Sequence, residues 1–207
     1  MQVFFYSYFY LRQRHKKGYV SKEQKRRVEM HKILIAILAI FLTATGANAM
    51  DRENTIYLDL KDGRVVIELN PAVAPNHVRR IKELTRAGFY DGAPFHRVIP
   101  GFMAQTGDPT GTGRGGSGQM LAAEFNNTPH VRGVVSMARA QDPNSADSQF
   151  FIVFDNARFL DNQYTAFGRV TSGMEFVDMI RAGTSENNGA VDNPDTIIRM
   201  RVAADVE

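Results

Sequence analysis

The segment Phe95-His96-Arg97-Val98-Ile99-Pro100-Gly101-Phe102-Met103-Ala104-Gln105 decides how the rest of the chain is read. Residues 95–99 and 102–106 are short runs rich in aromatic, β-branched and other apolar side chains, and Pro100-Gly101 between them is a turn signal. Both runs therefore read as β-strands. Side chains on a strand alternate between its faces, which places Phe95, Arg97 and Ile99 on one face and His96 and Val98 on the other unless a bulge intervenes. Taken alone, Arg97 is as well explained as a solvated strand residue or half of a surface ion pair, His96 as a hydrogen-bonded structural histidine, and Phe102 and Met103 as ordinary core.

The same pattern extends in both directions. Upstream, residues 55–60 alternate Ile56, Leu58 and Leu60, and residues 64–69 follow after Lys61-Asp62-Gly63, an opening β-hairpin. Pro75 stands where a first helical position would be, and Val78, Ile81 and Leu84 recur at helical spacing until Gly88 offers a stop, so a helix is expected over residues 75–87. Downstream, strand-like runs cover 133–138, 149–154, 166–171 and 196–203, while Met174, Val177 and Ile180 mark a second helix before Gly183. About eight strands and two helices, joined by Gly- and Pro-containing turns, predict a mainly β fold: a closed eight-stranded antiparallel barrel capped by two helices. Closure would leave no exposed sheet edge. With no repeat, low-complexity tract or linker inside it, the stretch 50–207 is expected to be one domain.

Composition narrows the function classes. A chain of 207 residues, 43% hydrophobic and 23% charged, can bury one sizeable core. Its net charge of +3 is unevenly spread: nine Lys and Arg and two Glu precede residue 50, leaving 16 basic and 20 acidic side chains for the remainder. Nonspecific nucleic-acid binding needs a basic face to neutralise phosphates, so a mildly acidic body argues against a nucleic-acid partner. The absence of cysteine excludes disulfides, thiol nucleophiles and cysteine-bound zinc. His15, His31, His77, His96 and His130 are scattered without helical pairing or nearby carboxylates, so neither a metal site nor a cofactor is expected. Gly111-Thr112-Gly113-Arg114-Gly115-Gly116 has the spacing of a pyrophosphate-cradling loop, yet it follows Asp108-Pro109 and leads into no helical pattern. It reads as a mobile surface loop with glycines at positive φ. Asn126-Asn127-Thr128 matches a glycosylation acceptor only formally and is read as chance.

The first 49 residues have their own logic. Met30 is followed by His31 and Lys32, the apolar run 33–42, and Thr43-Ala44-Thr45-Gly46-Ala47-Asn48-Ala49, the three-part layout of a secretory signal peptide over residues 30–49. That run is about half of the roughly 20 residues needed to span a bilayer, so cleavage after Ala49 is expected, with no stable membrane anchor afterwards. An uncleaved anchor and a short buried helix are the competing readings. Residues 1–29 show no periodic element and are expected to be an unstructured, non-native extension, with translation starting at Met30.

The opening segment resembles the signature of the cyclophilins, and further segments match that family in order: Ser136-Met137-Ala138-Arg139-Ala140, Ser148-Gln149-Phe150-Phe151-Ile152, and Phe159-Leu160-Asp161 ahead of Phe167-Gly168. The resemblance covers residues 54–203. It implies the eight-stranded barrel with two helices, peptidyl-prolyl cis-trans isomerase activity, and a groove in which Arg97 faces a proline pocket, with Arg97, Gln105 and Phe102 as catalytic residues. Pocket positions fall on Phe102, Met103, Gln105, Phe151, Phe159, Leu160 and Tyr164, with His96 as a wall residue and Ala138, Arg139, Ala140 and Gln149 lining the remaining groove. Phe159, Tyr164 and Arg139 stand where many eukaryotic cyclophilins carry tryptophan, histidine and asparagine. Losing the indole puts tight cyclosporin binding in doubt.

Chemistry explains why such residues suit such a reaction. Rotation about the peptide C–N bond is opposed by a barrier of about 18–20 kcal/mol. At the twisted state resonance is lost and the proline nitrogen regains a lone pair, so a donor aimed at that nitrogen stabilises the transition state preferentially. A guanidinium is permanently charged and offers several directed N–H groups. The expected partners are proline-containing peptides and unfolded or folding exported proteins, the location is periplasmic, and a monomer is expected. The alternative is a chaperone-like binding module that grips proline-containing segments without turnover; such a module needs the pocket but no donor at nitrogen.

Overall fold

The structure, a computed structural model, describes residues 51–184 and 186–206 together with Lys22, Glu23, Arg26, Arg27, Glu29 and Met30. The chain divides into two units, Met1–Ala49 and Met50–Glu207. In the first, the six described residues are helical and exposed. The expected signal peptide and its cleavage point after Ala49 lie, apart from Met30, outside the described residues.

The second unit is built on one eight-stranded antiparallel sheet. Its strands are β1 (Thr55–Leu60), β2 (Gly63–Leu69), β3 (Arg97–Ile99), β4 (Met103–Thr106), β5 (Val134–Met137), β6 (Phe150–Val153), β7 (Ala166–Ser172) and β8 (Arg199–Val202). They lie in the order β3-β4-β6-β5-β7-β2-β1-β8. The helices are α1 (Pro75–Arg86) and α2 (Met174–Asp178). In the opening hairpin Leu60 pairs with Gly63, and alternation buries Val65, Ile67 and Leu69.

Helix α1 shows how local and distant residues share the work. Pro75 occupies its first turn, and Val78, Ile81 and Leu84 are buried along one face. Ala74 at the cap offers no side-chain acceptor. Glu124 replaces it from a loop, accepting the backbone N–H of Asn76 and of His77, both at 3.1 Å, and His77 Nδ1 at 2.7 Å. Burial alone would raise the pKa of Glu124, but the hydrogen bonds from His77 and Asn76 outweigh it and hold the carboxyl below its usual range. The far end closes as the sequence foresaw: Gly88 adopts φ +69°, Phe89 N donates to Leu84 O and Gly88 N to Thr85 O, the double bond pattern of a Schellman cap.

Two buried clusters occupy opposite faces of the sheet. The main core gathers Ile56, Leu58, Val65, Ile67, Ile81, Phe95, Val98, Ala104, Phe150, Ile152 and Phe167 among others. A second, smaller cluster holds Met103, Val134, Phe151, Val153, Ala157, Leu160 and Ala166, with Ile99, Phe102, Val131, Ala138 and Tyr164 packed against it. The continuous apolar run Phe150-Phe151-Ile152-Val153 serves both by strict alternation.

Three expectations are corrected. The sheet is open rather than closed, because no ladder joins its end strands β3 and β8. Just before those strands the backbone is diverted: residues 93–95 and 195–197 exchange hydrogen bonds and form one isolated bridge, Pro94 with Thr196. The free edge of β3 is covered instead by residues 183–191, where Gly189 O accepts from Val98 N at 2.7 Å, Val98 O from Gly183 N at 3.0 Å and His96 O from Val191 N at 3.1 Å. Second, strand β3 begins only at Arg97, so alternation does not run back through the irregular residues before it, and Phe95 is buried in the main core rather than sharing the face of Arg97. Third, α2 stops at Asp178; Ile180 is still buried, but Arg181 N is drawn off by Asp195 Oδ2 at 2.8 Å.

Candidate active site

The face of the sheet away from the main core carries a row of four side chains on four strands. Arg97 on β3 is paired with Gln105 on β4, Gln105 with Phe151 on β6, and Phe151 with Ser136 on β5. One step along, Ile99, Met103 and Val153 form the parallel row. Register alone therefore sets the arginine one strand from Met103 and two strands from Phe151, which together make an apolar floor.

Arg97 is half-buried and held on three sides. Nη1 donates to Gln105 Oε1 at 3.2 Å, Nε to Asn188 O at 3.0 Å and Nη2 to Asn188 Oδ1 at 2.9 Å. Of the five N–H bonds of a guanidinium, one on Nη1 and one on Nη2 remain for a ligand. Burial lowers its pKa, partly offset by the nearby Tyr164 hydroxyl. Because Gln105 gives its oxygen to Arg97, its amide NH₂ faces Gln149 Oε1 at 2.9 Å. The NH₂ of Gln149 in turn donates to Gly113 O at 3.1 Å and Gly115 O at 2.8 Å. A directed chain of hydrogen bonds thus runs from the arginine to the glycine-rich segment.

That segment is tied down along its length. Asp108 accepts from Thr110 N and Oγ1, at 2.8 and 2.7 Å, and from Gly115 N at 3.0 Å. Burial pushes this carboxyl up, but those bonds prevail and bring its pKa down to about 2. Gly111, Gly113 and Gly118 have φ of +69°, +75° and +82°. No helix follows, so the segment is a braced loop and not the start of a nucleotide site.

Around the floor stand the remaining residues singled out in the sequence. Phe102 packs on Phe159 with ring centres 5.4 Å apart, and Phe159 is 66% exposed, forming a rim. Tyr164 meets Phe151 edge-on at 5.9 Å. Leu160 is buried in the same cluster, and Ala138 packs against it. Arg139 lies over Tyr164 at 4.7 Å and spends its donors on the carbonyls of Ala140, Gln141 and Gln163, fixing the groove backbone. Gln105, Ala138, Arg139, Ala140 and Gln149 also border a cleft of about 370 Å³ beside the glycine-rich loop. His96 is buried against Gly113, and burial lowers its pKa despite the charge of Asp108.

A further support was not foreseen. His130, fully buried, stacks against Phe151 at 6.4 Å and links the floor to the turn that carries Phe159 and Leu160. Its backbone N–H and Nδ1 both reach Asp161 Oδ1, at 2.8 and 3.1 Å, and Nε2 lies 3.0 Å from Ser136 Oγ. An ionised Asp161 can only accept, so Nδ1 carries the proton and Ser136 donates to Nε2. Burial keeps His130 below its usual pKa in spite of Asp161. Asn188 was also missed; the Asn188-Gly189 pair signals a turn, but nothing local in the sequence sets it beside Arg97.

A profile of the family described as "Cyclophilin type peptidyl-prolyl cis-trans isomerase/CLD" matches residues 55–202. The chain belongs to the cyclophilin family. It is a peptidyl-prolyl cis-trans isomerase of the cyclophilin type. Similar proteins include a probable peptidyl-prolyl cis-trans isomerase of Brucella suis, 54% identical over 173 residues that cover 78% of this chain and 88% of that one. Peptidyl-prolyl cis-trans isomerase B of Bacillus subtilis is 45% identical over 132 residues, covering 62% and 92%. Among solved structures, a cyclophilin from Hirschia baltica aligns with a TM-score of 0.68 at 31% identity, over 76% of each chain. A cyclophilin-type isomerase from Cryptosporidium parvum, solved in the presence of the dipeptide Ala-Pro, aligns with a TM-score of 0.66 at 28% identity, over 72% of this chain and 98% of that one. Against the cyclophilin pattern the departures at Phe159, Tyr164 and Arg139 all lie on the rim, while the floor of Met103, Phe151 and Leu160 is buried beneath it.

Proposed function

We propose that Arg97 is the catalytic donor of this isomerase, that Gln105 orients it, and that Phe102, Met103, Phe151, Leu160 and Tyr164 hold the proline ring. The observation that carries this reading is the row Arg97–Gln105–Phe151, which sets a held guanidinium with two unspent N–H groups next to an apolar floor. The presence of Ala-Pro with a structural relative supports proline-containing peptides as ligands. In the reaction the floor grips the ring while the acyl side turns, and an Arg97 N–H meets the nitrogen lone pair as resonance is lost.

Magnitudes divide the labour. Unaided X-Pro isomerisation takes tens to hundreds of seconds, and millisecond turnover needs about 5.5–7 kcal/mol of barrier lowering. One hydrogen bond to a charged group supplies about 1.5–3 kcal/mol. The remainder falls to immobilising the ring and to an apolar surface that favours the less polar twisted amide. Arg97→Ala should therefore cut kcat by about 10- to 100-fold while peptide affinity changes little. Wild-type turnover in that variant would defeat the mechanism, whereas a holdase would be recognised by acting only in stoichiometric amounts on a protein whose refolding is limited by proline.

The reading extends to place and clients: an exported, periplasmic, monomeric enzyme acting on proteins that fold after export. It is supported by the layout of residues 30–49, with its apolar run and small residues before the Ala49 junction. N-terminal sequencing of the native protein checks it; a mature chain retaining residues 1–29 would overturn it.

A further inference from the structure

We propose that Asn188 is a positioning residue for the isomerase reaction, holding the Arg97 guanidinium at the angle from which its free N–H groups meet the turning amide. This rests on the reading of Arg97 as the donor.

An arginine side chain is long and freely rotating, and a half-exposed one has a fixed direction only if its partners grip more than one edge. Gln105 grips a single N–H at 3.2 Å. Asn188 grips the opposite edge with two acceptors, its carbonyl on Nε at 3.0 Å and its side-chain oxygen on Nη2 at 2.9 Å. For one residue to present both oxygens side by side, its backbone adopts φ +58°, a left-handed conformation in which asparagine is among the few tolerated side chains.

The clamp is itself clamped. Gly189 donates its N–H to Thr184 O at 2.8 Å and accepts from Val98 N at 2.7 Å, locking the loop to the strand that carries Arg97. A Cβ at Gly189 would collide with Ile99 and the Val98 carbonyl, so only glycine lets the loop approach this closely. Asn187 braces the loop from inside, accepting from Thr184 N at 3.2 Å and donating to Ala190 O at 3.0 Å. All three oxygens on Arg97 are neutral, and among the described residues no ion pair to a carboxylate competes for its charge. The guanidinium is thus oriented without being neutralised.

The test is a double-mutant cycle on the full chain with a proline-containing peptide, using Asn188→Gly, Arg97→Ala and the two combined. Asn188→Gly permits the same backbone conformation and keeps the carbonyl while removing the side-chain carboxamide. Its kcat should fall about tenfold with KM within about twofold, and the combined variant should be no slower than Arg97→Ala alone. In nitrogen-15 NMR the Arg97 Nε–H signal, protected in the wild type, should broaden through solvent exchange in Asn188→Gly. An unchanged kcat in Asn188→Gly, or a loss that persists undiminished in the Arg97→Ala background, overturns the positioning role. Wild-type activity in Arg97→Ala would instead overturn the reading of Arg97 itself, and the two failures are read from different arms of the cycle.

Discussion

Replacing Arg97 by lysine keeps the positive charge and separates two accounts of what the arginine contributes. In the folded protein three of the five N–H bonds of its guanidinium are spent on Gln105 Oε1, Asn188 O and Asn188 Oδ1, leaving two for substrate. An ammonium has three N–H bonds in all. If lysine satisfied the same three acceptors it would have none left, and if it turned to the substrate it would lose the partners that aim it. Either way the donor at the proline nitrogen is lost or misaimed. With a charged hydrogen bond worth about 1.5–3 kcal/mol, Arg97→Lys should lower kcat by about 10- to 100-fold, close to the Arg97→Ala loss. Peptide affinity, assigned above by proposal to the apolar floor, should change by less than about threefold. The assay follows cis-to-trans conversion of a proline peptide at low temperature, where the uncatalysed reaction is slow, with affinity measured separately by titration. Lysine activity within about threefold of wild type would show that charge alone suffices and would refute the argument from directed donors.

Phe102→Ala removes a half-buried ring that packs on Phe159; it should raise KM several-fold and lower kcat while the melting temperature shifts little, and a pure stability loss with unchanged kinetics would place Phe102 in ordinary core. Ser136→Ala strands the buried Nε2 acceptor of His130, a loss of about 1–3 kcal/mol that should lower the melting temperature by roughly 2–4 °C per kcal/mol; an unchanged melt would contradict the assigned donor. Acid should weaken the fold in two stages. His96 and His130 have lowered pKa values in the folded state, so the unfolded chain binds protons first and stability, complete above about pH 6.5, falls below it by at most about 1.4 kcal/mol per pH unit for each histidine. Asp108, with its pKa near 2, holds its contribution until the pH drops below about 4, and a melting temperature that is flat or rising between pH 7.5 and 5 would show the first stage to be absent.

The elements were legible wherever a period ran long enough. The β1–β2 hairpin, α1 with Pro75 at its start and Gly88 at its end, and the positions of all eight strands follow from alternation, helical spacing and turn residues. The openness of the sheet was not legible, because it depends on how strands of three and four residues diverge and on backbone bonds between irregular segments that leave no side-chain pattern. Phe95 shows the same limit at the scale of one residue: alternation holds only while the strand does. For the site, the motif resemblance brought out Arg97, Gln105 and Phe151, whereas periodicity alone could not say which face of Phe150-Phe151-Ile152-Val153 was core. Asn188, 91 positions from Arg97, and Glu124, 48 positions from Asn76, act through the meeting of distant loops. No window of sequence contains both partners.

The strap over β3 has a consequence in time. The segment that braces Arg97 lies about 91 positions beyond it in the chain, so it is made well after the strand it covers. Until residues 183–191 have emerged and docked, the arginine hangs on an unguarded edge with only Gln105 to steady it. With that strap undocked, the donor proposed above loses two of its three anchors, so docking of this distant segment is the step that completes the site.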